Sequence, residues 1–250
     1  MQGERMFKLI KKITFFKFIA LFVLLSACSP RSGTVVGDPL EPLNRRVHAL
    51  NKGLDSNILS PVSKSYSYVM PDAAEDSVSN FASNLSLPGK VVNNVLQLDI
   101  PAAANNTVRF VVNSTIGLAG LFDPSESIGL AGRDTDFGQT LQRWGVAEGA
   151  YVEIPLFGPS NMRDGMGIFV DMMLDPTSSV LKPTMSSYRS WAGIGAILQK
   201  RQIYGDQIDE VLYDSADSYA QSRLVYLQNR RFQLKDNPSD AYIDPYAEFE

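Results

Sequence analysis

The chain has 250 residues, 44% of them hydrophobic, with 23 Lys and Arg against 27 Asp and Glu, one cysteine and one histidine. A single cysteine excludes a disulfide framework and a thiolate metal centre, and a single histidine leaves too few ligands for zinc. The acidic balance disfavours nucleic acid as a partner.

Residues 1–17 carry Arg5, Lys8, Lys11, Lys12 and Lys17 against Glu4, and an apolar run then fills Phe18 to Leu25. A basic segment followed by a short apolar one has the layout of a secretory signal. That run of eight residues falls short of the roughly 20 that a spanning helix needs. Met6 is an alternative start to Met1. The segment closes on Leu25-Ser26-Ala27-Cys28, which resembles the bacterial lipobox, in which the cysteine becomes the first mature residue and carries acyl chains. Residues 1–27 are expected to be the lipoprotein signal peptide and Cys28 the lipid anchor, with Ser29 pointing to the outer membrane. Each buried methylene contributes about 0.8 kcal/mol, so several chains hold such a protein essentially permanently. Cleavage leaves 223 residues with 18 basic and 26 acidic side chains, a net charge of −8.

Residues 28–37 read as a lipidated polar tether, and 38–235 as one helical domain. From Pro39 onward, Leu40, Leu43, Val47, Leu50 and Leu54 fall at helical steps. Val78, Phe81 and Leu85 predict a second helix, broken by Pro88-Gly89. Val91, Val92, Val95 and Leu96 predict a third. Pro101 opens a fourth that is expected to bury Val108, Val111, Val112 and Thr115 before Gly117 stops it.

This region avoids ions. Between Ser77 and Leu118, 42 residues hold only Lys90, Asp99 and Arg109, yet seven of the thirteen asparagines lie there. Neutral amides and hydroxyls can face a little water inside a membrane without the cost of burying a charge. Asn80, Asn84, Asn93, Asn113, Ser114 and Thr115 are therefore candidates to line a lipid-contacting channel. An ordinary helical core with an Asn-rich polar face is the competing reading.

Residues 117–167 hold ten of the eighteen glycines together with Pro124, Pro155 and Pro159. They predict a long irregular segment, with "AYVEIPLF" as one possible short strand and Trp144, Tyr151 and Phe157 as gate or membrane-interface aromatics. Helices resume near Ser187, through Tyr188, Trp191, Ile194 and Leu198, then Ile208, Val211 and Leu212, then Tyr219, Tyr226 and Leu227. The acidic stretch 236–250 is expected to be a solvated, disordered tail.

Catalytic signatures are sparse. A Ser-His-acid hydrolase would have to use His48, and no Gly-x-Ser-x-Gly elbow surrounds any serine. Asp134-Thr-Asp136-Phe-Gly138 fails the calcium-loop spacing at its fifth position. No Walker loop or dinucleotide fingerprint is present. These absences predict a non-enzyme without metal or cofactor, with packing or a headgroup-level position for His48.

"DPLEPLNR" (Asp38 to Arg45), "SNFASNL" (Ser79 to Leu85), "VNNVLQLD" (Val92 to Asp99) and "RFVVNSTIGLAGLFD" (Arg109 to Asp123) occur in this order. They are followed by "DFGQTLQRWGVAEGAYVEIPLFGPSNMRD" (Asp136 to Asp164) and "SADSYAQSRLVYLQNRR" (Ser215 to Arg231). Together they resemble the MlaA/VacJ family of outer-membrane lipoproteins. Where many relatives carry aromatics after the Asn-Arg pair, this chain has His48 and Leu50. The resemblance implies an all-α, ring-shaped monotopic protein in the inner leaflet of the outer membrane, with an amphipathic channel. It implies that mislocalised phospholipid is removed from the outer leaflet and passed to a soluble periplasmic phospholipid-binding carrier, with an outer-membrane trimeric porin as companion. The rival readings are a lipoprotein that only scaffolds porins and, more remotely, a lipid hydrolase.

Overall fold

The computed structural model describes residues 38–176 and 183–234, so the signal segment, Cys28, the tether and the acidic tail lie outside the described residues. Helix α1 (Glu41–Leu54) starts with proline in its first turn, where a missing N–H costs nothing. Asp38 closes the entry by accepting from the Leu40 N–H at 3.2 Å and the Asn44 amide at 3.0 Å. A π-helical turn (Asp55–Leu59) carries the chain into α2 (Ser60–Val69). Extended backbone at Met70 and Pro71 then ends the run.

Helix α3 spans Asp72–Leu96 and passes through Pro88 without breaking. The expected break at Pro88-Gly89 is therefore wrong, and the second and third predicted helices are one. Proline removes one hydrogen bond to the preceding turn, but α3 packs against α4, α6 and α8, and this tertiary support outweighs the local loss. Helix α4 (Ile100–Thr115) begins as expected, with proline in the first turn and Asp99 accepting from the Ala102 N–H at 3.1 Å.

The segment 117–167 is more ordered than its glycines suggest. It holds α5 (Pro124–Ser127), α6 (Phe137–Arg143), an antiparallel pair β1 (Tyr151–Ile154) and β2 (Gly158–Asn161), and the start of α7 (Met162–Leu174). Tyr151 pairs with Asn161 and Ile154 with Gly158. The turn between them places Leu156 at φ 70° and Gly158 at φ 81°. The last elements are α8 (Pro183–Ile203), α9 (Gly205–Asp209), a second π-helical turn (Glu210–Asp214) and α10 (Ser218–Leu234). The described residues are mainly helical, with this one small sheet among them.

Packing neighbours follow one another in a closed circuit. From α1 it runs to β1, α7, α6, α3, α8 and α2, and back through the first π-helical turn to α1. Such a circuit has no single centre in which to gather a large apolar core. Among the described residues an apolar cluster, Tyr151, Tyr219 and Leu227 with Tyr226 against it, lies where the hairpin meets α10.

Candidate functional site

The polar and apolar surfaces of α4 are inverted relative to a water-soluble helix, and the α3 side chains buried against its neighbours are mostly asparagines. On α4 the buried side chains are Ala102, Ala103, Asn106, Arg109 and Asn113, while Val108 and Val111 are 46% and 53% exposed. The expected burial of those two valines is thus overturned. Apolar exposure continues through Leu98, Ile100, Ile116, Leu118, Leu121 and Phe122, and recurs on α7 and α8 at Phe169, Met172, Trp191 and Ile194. A soluble monomer rarely exposes so many large apolar side chains. Such a distribution suits a hydrocarbon environment, in which helices associate through small residues and hydrogen bonds while their apolar stripes face outward.

The amides supply those hydrogen bonds. Asn84 donates to Ser114 Oγ at 3.0 Å, and Asn106 donates to Asn94 Oδ1 at 2.8 Å, both between α3 and α4. Asn93 donates to Asp171 at 2.7 Å and accepts from Thr140 at 2.9 Å, joining α3 to α7 and α6. Asn113 donates to Asp123 at 3.0 Å and accepts from the Ser125 N–H at 3.2 Å. Arg109 reaches the same corner, pairing with Asp123 and the Leu130 carbonyl. Burial alone would raise the Asp123 carboxyl, but bonds from Ser125, the Glu126 N–H and Asn113, with the Arg109 charge, hold it below the usual range.

The six channel candidates therefore separate. Asn93 and Asn113 are buried with both ends of the amide engaged. Asn84 is buried against Gly120, where an added Cβ would lie 2.5 Å from its Nδ2, and its Oδ1 has no partner among the described residues. Asn80 and Ser114 are half-buried, and Thr115 is exposed with its hydroxyl donating to the Val111 carbonyl at 2.7 Å. Of the three aromatics, Trp144 and Phe157 are 55% and 57% exposed, and the Trp144 ring N–H donates to the Leu96 carbonyl at 3.1 Å. Tyr151 is 0% exposed, so it is a core anchor and not an interface residue. Alternation along β1 turns it inward, where its hydroxyl donates to Glu153.

Three polar nodes, none of them evident in the sequence, tie distant elements together. Arg201 of α8 forks onto Asp55 at 2.8 and 2.9 Å and also reaches Asp209, while Tyr213 donates to Asp55 at 2.8 Å. The two π-helical turns thus meet at one carboxylate. Burial would raise Asp55, but the Arg201 and Tyr213 bonds hold it low. Arg230 of α10 forks onto Asp136 at 2.7 and 2.8 Å and bonds Asp164 at 2.8 Å. Asp164 is likewise held low by Arg230 and Arg163 against its burial. Asp136 also accepts from the Gln139 N–H at 2.8 Å as the cap of α6, which is what the Asp-Phe-Gly stretch does. The third node joins α1, β1 and α10: His48 lies between Glu153 at 3.3 Å and Ser218 at 3.1 Å. Among the described residues no cluster could hold a metal ion, and no helix is long and apolar enough to cross a membrane.

Comparison with known proteins agrees with this arrangement. The family model described as MlaA lipoprotein matches residues 36–233. An uncharacterized protein of Rickettsia bellii is 36% identical over 202 residues, covering 80% of this chain and 78% of the relative. The intermembrane phospholipid transport system lipoprotein MlaA of Escherichia coli K12 is 31% identical over 199 residues, covering 78% of this chain and 77% of its own. A solved structure from work on the structural basis for maintenance of bacterial outer membrane lipid asymmetry superposes with a TM-score of 0.67 at 30% identity. It covers 80% of this chain and 100% of its own.

Proposed function

The chain belongs to the MlaA lipoprotein family, and from that premise we propose that it withdraws mislocalised phospholipid from the outer leaflet of the outer membrane through an amphipathic passage. It is anchored through lipid on Cys28, hands its cargo to a soluble periplasmic carrier, and works beside a trimeric porin. The function is intermembrane phospholipid transport in the service of lipid asymmetry.

The observation that carries this reading is the inverted helix α4, apolar outside and tied to α3 by buried amides. A phospholipid crossing between leaflets must bring its charged head through hydrocarbon, where nothing hydrogen-bonds it. A circuit of helices with apolar outer faces gives the tails a surface, and uncharged polar groups within give the head partners. In this reading Asn93 and Asn113 brace the wall of the passage, while Asn80, Asn84, Ser114 and Thr115 border it. Asn84 keeps an unspent acceptor. Trp144 and Phe157 sit at the membrane interface.

The test is outer-leaflet phospholipid in a strain lacking the protein, measured by a lipase or labelling reagent that acts only from outside. The reading expects a rise that the wild-type gene reverses and a Cys28→Ala copy does not. An unchanged outer leaflet would leave a porin scaffold as the better account.

A further inference from the structure

His48 is the one imidazole in the chain. The fold sets it between a carboxylate 105 residues away and a hydroxyl 170 residues away. Its Nδ1 is 3.3 Å from Glu153 Oε1 and its Nε2 is 3.1 Å from Ser218 Oγ. The hydrogen positions follow from what each group can do. A carboxylate only accepts, so the neutral ring carries its proton on Nδ1. Nε2 is then an acceptor, and the Ser218 hydroxyl is the donor that fills it. This is the protonation state in which an imidazole can take a proton from a nucleophile.

The supporting groups fix both neighbours. Glu153 is held by its own N–H donating to Asn44 Oδ1 at 3.0 Å and by the Tyr151 hydroxyl donating to Oε2. His48 is buried, and its ring packs edge-on to that of Tyr219 with the centroids 5.7 Å apart. Ser218 opens α10 and is half-buried, at a rim where the Arg45–Asp217 ion pair is exposed to solvent. Asp217 Oδ1 accepts from the N–H groups of Tyr219 and Ala220, both at 3.1 Å. The N–H of Ser218 itself has no partner among the described residues.

We infer that Ser218, His48 and Glu153 form a nucleophile, a general base and a positioning carboxylate for the cleavage of carboxylic esters, the acyl ester of a glycerophospholipid being the substrate class at hand. Ser218 Oγ bonds to the ester carbonyl carbon while its proton passes to His48 Nε2, and the carbonyl electron pair moves onto oxygen, opposite the Ser218 N–H. The pair returns, the bond from carbon to the alcohol oxygen breaks, and the alcohol leaves with the proton from Nε2. Water then adds its oxygen to the acyl carbon and its proton to Nε2. The bond from carbon to Ser218 Oγ then breaks, Oγ takes the proton from Nε2, and the carboxylic acid departs with Ser218 restored. This activity goes beyond transport, and its failure would leave the transport reading standing.

The full-length protein in non-ionic detergent, treated with a fluorophosphonate probe and mapped by peptide mass spectrometry, decides the matter. The expected result is one adduct, on Ser218, with cleavage of a short-chain p-nitrophenyl ester that Ser218→Ala abolishes. His48→Asn should slow both reactions by about 100-fold or more. Glu153→Gln should lower kcat at unchanged KM, a split that a packing defect would not produce. Wild-type protein with its helical circular dichroism intact that takes no adduct on Ser218, or cleaves no ester, overturns the inference without recourse to any variant.

Discussion

Asn113 shows why amides and not ions fill the interior. Its Nδ2 donates to Asp123 at 3.0 Å and its Oδ1 accepts from the Ser125 N–H at 3.2 Å, so both halves are used. Asn113→Ser should cost about 1 kcal/mol, the net worth of a hydrogen bond, whereas Asn113→Asp sets a second carboxylate against Asp123 and should cost about 3 kcal/mol or more. Thermal unfolding of the two variants in detergent checks that order. The pH dependence has a definite sign. Asp55, Asp123 and Asp164 are held below their ordinary range in the folded protein. Their contribution is complete above the unfolded carboxylate value of about 3.9 and is lost as pH falls through their folded values. Asp171, raised by burial against the Phe137 N–H and Asn93, works in the opposite sense, weakening the fold as pH rises through its range. Asp134 and Asp217 are also held low, by Lys90 and Arg45, and five against one predicts a melting temperature that drops steeply below pH about 4, and an Asp164→Asn protein, weaker at neutral pH, with a shallower drop. The cluster of asparagines was legible in the sequence because composition is local. Their partners were not, since Asp123, Thr140 and Asp171 lie 10, 47 and 78 residues from the amides they meet.

At the scale of elements, two glycines separate local propensity from packing. Gly167 on α7 faces α6 so closely that a Cβ would lie 2.4 Å from the backbone nitrogen of Gly138. Backbone cannot step aside, so Gly167→Ala should force α6 and α7 apart and lower the melting temperature. Gly89, beside Pro88 within α3, has nothing within 4 Å of an added Cβ. Gly89→Ala should stabilise the helix by up to about 1 kcal/mol. A Gly89→Ala variant that melts lower would contradict the unbroken α3. Reading Pro88-Gly89 as a stop was sound as propensity, and tertiary support overrode it. Helix α7 escaped notice because Gly165 and Gly167 sit among Met162, Met166, Ile168 and Phe169, and a glycine-rich apolar stretch lacks the polar face that marks a surface helix. The α4 start was legible from Pro101, since the first-turn preference of proline is local, while its Asp99 cap went unread.

The molecule as a whole is a closed circuit of elements with exposed apolar side chains on α4, α7 and α8, and the periodicity of the α4 stripe was visible in the sequence although its direction was not. A helical period places residues on one face; whether that face meets protein or lipid depends on the solvent. The central claim is that this outer face is immersed in acyl chains while the amide-tied face is enclosed by protein. Nitroxide side chains at Val108, Val111 and Leu118, with one at Asn106 for contrast, test it in reconstituted membranes through their collisions with oxygen and with a water-soluble nickel chelate. The account predicts strong oxygen and weak nickel relaxation at Val108, Val111 and Leu118, as lipid-facing sites give, and weak relaxation by both at Asn106. Strong nickel relaxation at the two valines would place them in water and contradict the account.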